Sequence, residues 1–307
     1  MKGLTKITAR TKVPEADVLK FKGLHAREAH YDVLLTGDVN VYGPDGSMLF
    51  GVRRGALDEE LVDNAYDALH WLRRMKTDNR ASYSGGERYK RVKEDGTLTN
   101  TTWSKLVASA TIGYYDRYPR IPYCRQTAFI AKHPEKWNTI VPLLQNIAKH
   151  YKRNVPAKYM SQMGIVAETE PEWVIPKTPF TTITVNNCTC AAYHTDRGDY
   201  KGGFGVMAVL RRGEYRGAEL VLPEYKIAVD LGHRDLIFFD PHLWHGNVPI
   251  YDAVGEESKE WERISIVCYF RENMKDCLCM AEEIERAKRL AGEIEDADTE
   301  GEPEALQ

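Results

Sequence analysis

Long apolar runs are absent from this sequence. No stretch of its 307 residues reaches the eighteen or so apolar residues, on the order of one bilayer crossing, that a membrane span needs. The beginning, MKGLTKITARTKVPEADV, lacks the apolar core of a secretory signal. A soluble, intracellular protein is expected, in the host cytoplasm if phage-encoded and in the nucleus if eukaryotic. Cysteine is scarce: six residues are too few for a disulfide scaffold, and an intracellular compartment keeps them reduced. Two pairs, Cys188/Cys190 and Cys277/Cys279, have C-x-C spacing. With partners such pairs bind zinc, but on a strand they merely share a face, and the structural reading is preferred. A large charge of one sign is also missing; the net charge of −3 announces no nucleic acid. Internal repeats are not seen. What remains, 43% hydrophobic and 28% charged residues, describes an ordinary folded domain.

Charge is nevertheless uneven. Between Trp71 and Lys93 stand Arg73, Arg74, Lys76, Arg80, Arg88, Lys90, Arg91 and Lys93 against Asp78 and Glu87, a stretch suited to phosphates or to a solvated helix end. Residues 31–53 alternate around Gly-Pro-Asp-Gly and predict a β-hairpin. Residues 57–76 put Leu57, Leu61, Ala65, Ala68, Leu69 and Leu72 on one helical face, followed by a glycine- and lysine-containing loop. A second amphipathic helix is expected over 134–152. From about Phe180 the chain becomes a series of short strand-like runs (TTITVNNCTCAAY, GFGVMAVLR, AELVLP, KIAVDL, DLIFFD, ISIVCYF), which suggests a sandwich or jelly roll. After about Met280 a helix gives way to an acidic tail, DADTEGEPEALQ, expected to be disordered.

The residues that carry chemistry sit in the β-rich half. His194-Thr195-Asp196 follows a strand, and residues one apart on extended chain project the same way, so an imidazole and a carboxylate can meet one ion. Alone, H-x-D is a weak signal. A partner appears 49 residues after Asp196 in FFDPHLWHGN, where a jelly roll can return the chain to the same mouth. His245 is preferred over His242 because Trp-His-Gly holds the imidazole between a packed aromatic and a flexible turn. Two histidines and a carboxylate on one face of Fe(II) leave positions for a co-substrate and O2. Arg263-Ile264-Ser265 opens the strand RISIVCYF, and a guanidinium fork with a hydroxyl beside it suits the far carboxylate of 2-oxoglutarate.

At these residues the sequence resembles the TET/JBP family of Fe(II)- and 2-oxoglutarate-dependent dioxygenases, which oxidise 5-methyl groups of pyrimidines in DNA. The likeness runs through about residues 77–273 and is densest at HTDRGD, GGFGVMAVLRRGEYRGAELVLPEY, DLIFFDPHLWHGN and RISIVCYFR. It implies an α+β fold with a double-stranded β-helix core (jelly roll, cupin-like) and flanking helices. The implied layout is a hairpin-and-helix extension at 1–76, the dioxygenase domain at 77–279, and a helix with acidic tail at 280–307.

The resemblance also implies roles. Asp199 occupies the family's base-contacting position, and its carboxylate accepts from the exocyclic amine of cytosine, which favours 5-methylcytosine, oxidised to 5-hydroxymethylcytosine and possible further products. Tyr269 falls where an aromatic stacks on the base. Arg271 stands where animal-type members have a histidine, and this departure keeps thymine, giving 5-hydroxymethyluracil, as the alternative. The chain lacks the long cysteine-rich zinc-binding region of the animal enzymes and resembles compact protist and phage-type members. Arg80 is implied in holding the co-substrate, and Tyr114 and Tyr115 in meeting double-stranded DNA from which the base is flipped. The same chemistry on a nucleotide, RNA or protein is a further alternative. So is a non-catalytic cupin-like binding protein in which His194, Asp196 and His245 are ordinary polar residues.

Overall fold

The computed structural model describes residues 4–77, 88–92, 97–104, 106–119, 121–253 and 260–300, with backbone alone at 88–92, 98–104 and 292–300. The chain opens with β1 (Thr5–Thr8), the short helix α1 (Glu15–Val18), β2 (Val33–Leu35), and the hairpin β3 (Val39–Tyr42) and β4 (Met48–Arg53). Helix α2 (Glu59–Trp71) starts where the Asp58 carboxylate accepts from the Leu61 amide at 3.1 Å, which satisfies one of the orphan donors of its first turn. Then come β5 (Arg88–Val92), β6 (Leu98–Ser104), β7 (Ser109–Tyr115) and β8 (Arg125–Gln126). A helical layer follows: α3 (Ala128–Lys132), α4 (Pro134–Asn154) with its proline in the first turn, and α5 (Pro156–Ala167).

The β-rich half comprises β9 (Thr182–Asn187), β10 (Gly205–Arg212), β11 (Tyr215–Gly217), β12 (Leu220–Leu222), β13 (Ile227–Val229), β14 (Asp235–Phe239), β15 (Gly246–Asn247), β16 (Ile250–Asp252) and β17 (Glu262–Tyr269). Helix α6 (Met280–Glu300) closes the described chain. One sheet has nine strands in the order β1-β3-β4-β14-β10-β17-β9-β7-β8, and a smaller one has the order β15-β12-β13-β2. Together with the helices these make the expected α+β jelly-roll architecture.

Strand alternation sorts the core. Val206, Ala208 and Leu210 of β10, Leu236 and Phe238 of β14, and Ile264, Ile266 and Cys268 of β17 pack with α2, α4 and α5 residues such as Leu69, Leu144 and Ile165. The intervening residues Met207, Val209, Ile237 and Phe239 pack against Leu220, Leu222, Ile227 and Val229 of the smaller sheet. On β9 and β17 the same inter-sheet face carries Thr184, Asn186, Ser265 and Tyr269, so the apolar filling stops and a cavity begins.

Several expectations change. Both amphipathic helices form where expected, but the hairpin expected over 31–53 is confined to β3 and β4, with β2 joining β13 in the smaller sheet, and the loop placed after the first helix contains the paired strands β5 and β6. Neither C-x-C pair lies on a strand: Cys188 has φ 48° just past β9, and Cys277 and Cys279 follow a 3-10 turn. Nor are all cysteines reduced. Cys124 and Cys277 form a disulfide with Cα atoms 5.9 Å apart, because the β8 region and the start of α6 pack together. Helix α6 continues to Glu300 into the segment expected to be disordered, and residues 301–307 of that tail lie outside the described residues.

Candidate active site

Two backbone hydrogen bonds clip the histidines together. His194 and His245 form an antiparallel bridge, with His194 N donating to His245 O at 2.9 Å and His245 N to His194 O at 3.0 Å. Gly246 permits this approach: a Cβ there would sit 2.9 Å from Tyr193 N and 3.0 Å from its Cα, so the residue after His245 must be bare. It belongs to β15 rather than to the flexible turn expected from sequence. The Asp196 amide donates to Pro241 O at 2.9 Å, which fixes the carboxylate beside them.

The ligand atoms of His194, Asp196 and His245 all lie within 4.8 Å of one another. His194 Nε2 is 3.4 Å from Asp196 Oδ1, and His245 Nε2 is 3.7 Å from Asp196 Oδ2. Each imidazole Nδ1 is 2.8 Å from a carbonyl oxygen, that of Ala192 for His194 and of Leu243 for His245. A carbonyl only accepts, so Nδ1 carries the proton and Nε2 presents its lone pair to the common centre. Burial, and then the His194 imidazole, push His245 down to about 4, which keeps its ring neutral. His242 is turned elsewhere, with Nδ1 2.9 Å from Asp240 Oδ1 and Nε2 3.2 Å from Asp199 O.

The three residues stand at the wall of a cavity of about 440 Å³ that Asp199, Ser265, Tyr269 and Arg271 also line. Tyr269 Oη is 3.1 Å from Thr184 Oγ1, and Asn186 Nδ2 donates to Ser265 Oγ at 3.4 Å. Asp199 and Arg271 are joined as a backbone bridge. Arg271 Nε donates to Asp116 Oδ1 at 2.6 Å; burial opposes its charge, but Asp116 together with Tyr269 and Asp199 outweighs burial and raises the guanidinium further. Arg263 does not line the cavity. It lies one alternation beyond Ser265 on the same face of β17, 2% exposed, with neither Nε nor Nη2 hydrogen-bonded.

The remaining candidates separate. Tyr114 is buried on the helical side of β7, edge-on to Trp173 with ring centroids 5.7 Å apart, and does not reach the cavity. Tyr115, its neighbour of opposite orientation, lies beneath the Arg125 guanidinium at 4.8 Å and near that of Arg271 at 5.7 Å. Arg80 lies outside the described residues. Sequence reasoning missed Asn186 and Thr184, for which β9 alternation is a usable signal, and Lys22, which lines the cavity from the N-terminal segment and gives no sequence signal.

Comparisons with known proteins agree with this geometry. Residues 110–272 match the model of the Tet_JBP family, described as the oxygenase domain of the 2OGFeDO superfamily. Over 188 residues, 60% of this chain, it is 34% identical to a Trypanosoma brucei brucei protein named thymine dioxygenase JBP1. Over 189 residues it is 36% identical to that organism's bifunctional helicase and thymine dioxygenase JBP2. The alignments take in only 22% and 16% of those relatives, so the chain spans about a fifth of their length. Among solved structures, NgTET1 in complex with 5mC DNA superposes with a TM-score of 0.56 at 12% identity, covering 89% of this chain and 99% of that one, a likeness of fold.

Proposed function

Since this chain belongs to the TET/JBP oxygenase family, whose model covers more than half of it, we propose that it is an Fe(II)- and 2-oxoglutarate-dependent dioxygenase that hydroxylates the 5-methyl group of thymine in DNA. The observation that carries the reading is the convergence of His194 Nε2, Asp196 and His245 Nε2 at the cavity wall.

The residues present fit the groups this chemistry requires. Two neutral imidazoles and a carboxylate are the donor set of non-haem Fe(II) oxygenases and leave positions for a bidentate keto acid and O2. The unsatisfied Nε and Nη2 of buried Arg263 fit the far carboxylate of 2-oxoglutarate, with the Ser265 hydroxyl on the same face. When bound, Fe(II) with 2-oxoglutarate and O2 supplies the oxidation, converting a methyl group to hydroxymethyl as the keto acid becomes succinate and carbon dioxide.

The chain's own residues select and orient the base. A methyl group inside a duplex cannot reach a buried triad, so the nucleotide is flipped into the cavity at a cost of a few kcal/mol. Tyr269, held through Thr184, offers the ring against which the base packs. Asp199 accepts a hydrogen bond, which suits N3–H of thymine as well as the amine of cytosine. Arg271, anchored on Asp116, donates to a pyrimidine carbonyl. This pair of groups alone admits both pyrimidines. The trypanosome relatives, both named thymine dioxygenases, weigh for thymine over the 5-methylcytosine that Asp199 first suggested.

The test uses two duplexes, one containing 5-methylcytosine and one only unmodified bases, incubated with iron and 2-oxoglutarate, digested, and read by mass. 5-Hydroxymethyluracil from both is expected. Only 5-hydroxymethylcytosine, from the first duplex alone, would overturn thymine in favour of 5-methylcytosine. Succinate release equal in wild type and His194→Ala would remove the enzyme reading and leave a cupin-like binding protein.

A further inference from the structure

A second cavity, of about 630 Å³, lies on the other side of the main sheet, between the end of α2 and the ends of β9, β10 and β17. The two cavities stand back to back. Consecutive residues of β9 point to opposite faces, so Asn186 lines the first and Asn187 the second. On β17, Ser265 belongs to the first and Glu262 to the second.

The second cavity is basic. Arg73, Arg74, Lys76 and Arg212 line it against two acids, Glu260 and Glu262. Glu262 is already engaged by the Tyr66 hydroxyl and by His70 Nδ1 at 2.7 Å. The Arg212 guanidinium carbon stands over the Tyr66 ring, 3.2 Å from its centre, which holds the fork in place at the cavity. Among the described residues, no carboxylate stands within ion-pair distance of any of these four cations. The decisive group is Asn187. It is 4% exposed, it lines this cavity, and neither its amide nitrogen nor its oxygen has a hydrogen-bond partner. Buried polar groups are left open at a cost of roughly 1–3 kcal/mol, so an open amide at the wall of a cationic cavity marks the place of a ligand.

We propose that this cavity is a phosphate site, in which Arg73, Arg74, Lys76 and Arg212 neutralise the phosphate oxygens and the Asn187 amide donates to one of them. Arginine forks match phosphate geometry, and the count of cations suits a group of one to two negative charges. The same chemistry serves a phosphomonoester of a small molecule or a phosphodiester of DNA. Phosphate binding here is independent of the reaction at the first cavity.

Inorganic phosphate is titrated by calorimetry at constant ionic strength, with Trp261 fluorescence as a second readout because that ring lines the cavity. Saturable binding is expected in wild type and unchanged in His194→Ala. It is expected to weaken at least tenfold in the exposed double variant Arg73→Glu/Arg74→Glu and also in Asn187→Asp, which keeps the size and adds a negative charge. Equal binding in wild type and the double variant, or no saturation in wild type, would overturn the site; if Asn187→Asp fails to fold, the double variant still decides. Competition then identifies the source. A duplex that displaces phosphate assigns a DNA phosphodiester, and displacement by a nucleoside monophosphate but not by duplex assigns a small molecule.

Discussion

On β17, Ile264, Ile266 and Cys268 face the helices, while Arg263, Ser265 and Tyr269 face the smaller sheet. The first set is apolar and close-packed. The second, Val267 apart, is polar, and at Arg263 it leaves buried donors open. Both are held by the same ladder, β17 pairing with β9 from Ile264↔Asn187 to Tyr269↔Thr182. The difference teaches that one strand can divide its labour by parity, with one face holding the fold together and the other keeping groups poised at some cost in stability.

That contrast can be broken most completely at the metal site. His194→Ala is expected to abolish iron-dependent succinate release while the variant still unfolds cooperatively, because the ring lies outside the helix-backed core; activity and thermal melting measured together check both parts. The next largest effect compares adjacent residues. Ile264→Ala is expected to lose about 3 kcal/mol of stability in denaturant melts. Arg263→Met is expected to lose none, since it replaces a buried charge with two unsatisfied donors, yet to weaken 2-oxoglutarate binding by about 3 kcal/mol, roughly 100-fold.

Asp116→Asn sharpens the comparison at the substrate end. It keeps the shape beneath Arg271 but removes the charge that orients the guanidinium, and a roughly tenfold fall in kcat/KM on duplex DNA is expected, with 2-oxoglutarate affinity unchanged. The smallest effect concerns a buried charge on the stabilising side. Glu283 is fully buried and accepts from Arg117, from Cys124 N at 2.8 Å and from Leu278 N at 3.0 Å. Burial alone would raise its carboxyl, but the bond from Arg117 and then those from the two amides outweigh it and hold it below the usual range. Its stabilisation is therefore complete above pH of about 4.5 and is lost as pH falls through the lower folded value. Glu283→Gln, which keeps an acceptor oxygen, is expected to cost roughly 1 kcal/mol at neutral pH and to flatten the acid limb of the stability curve.

Much of this was legible in the sequence, for physical reasons that can be named. The strands from Thr182 to Tyr269 announce themselves because β-branched runs are short and bounded by turn residues, and His194, Asp196 and His245 stand out by their order in the connections between those strands. What stayed hidden depends on pairing between distant segments. Strands β3 and β4 extend the main sheet through β14, and the Cys124–Cys277 bridge joins residues 153 apart; neither leaves a local periodicity. Tyr114 and Tyr115 are an intermediate case. Strand alternation shows that only one of them can face outward from the helical core, but choosing between them requires knowing where Trp173 packs.

The backbone bridge that joins His194 to His245 continues outward. Gly23 N donates to Tyr193 O, Tyr193 N to Leu24 O, and Ala26 N to Asn247 O, so the N-terminal segment is laced to the neighbours of both imidazoles. An ion that binds only the closed site lowers the frequency with which this lacing opens. Amide exchange at Gly23 and Ala26 should therefore slow when a divalent metal is added, by a factor that rises with the metal's affinity. Two residues that carry no ligand atom would then serve as a gauge of the iron site, and trimming the chain before Ala26 would be felt as weaker chelation.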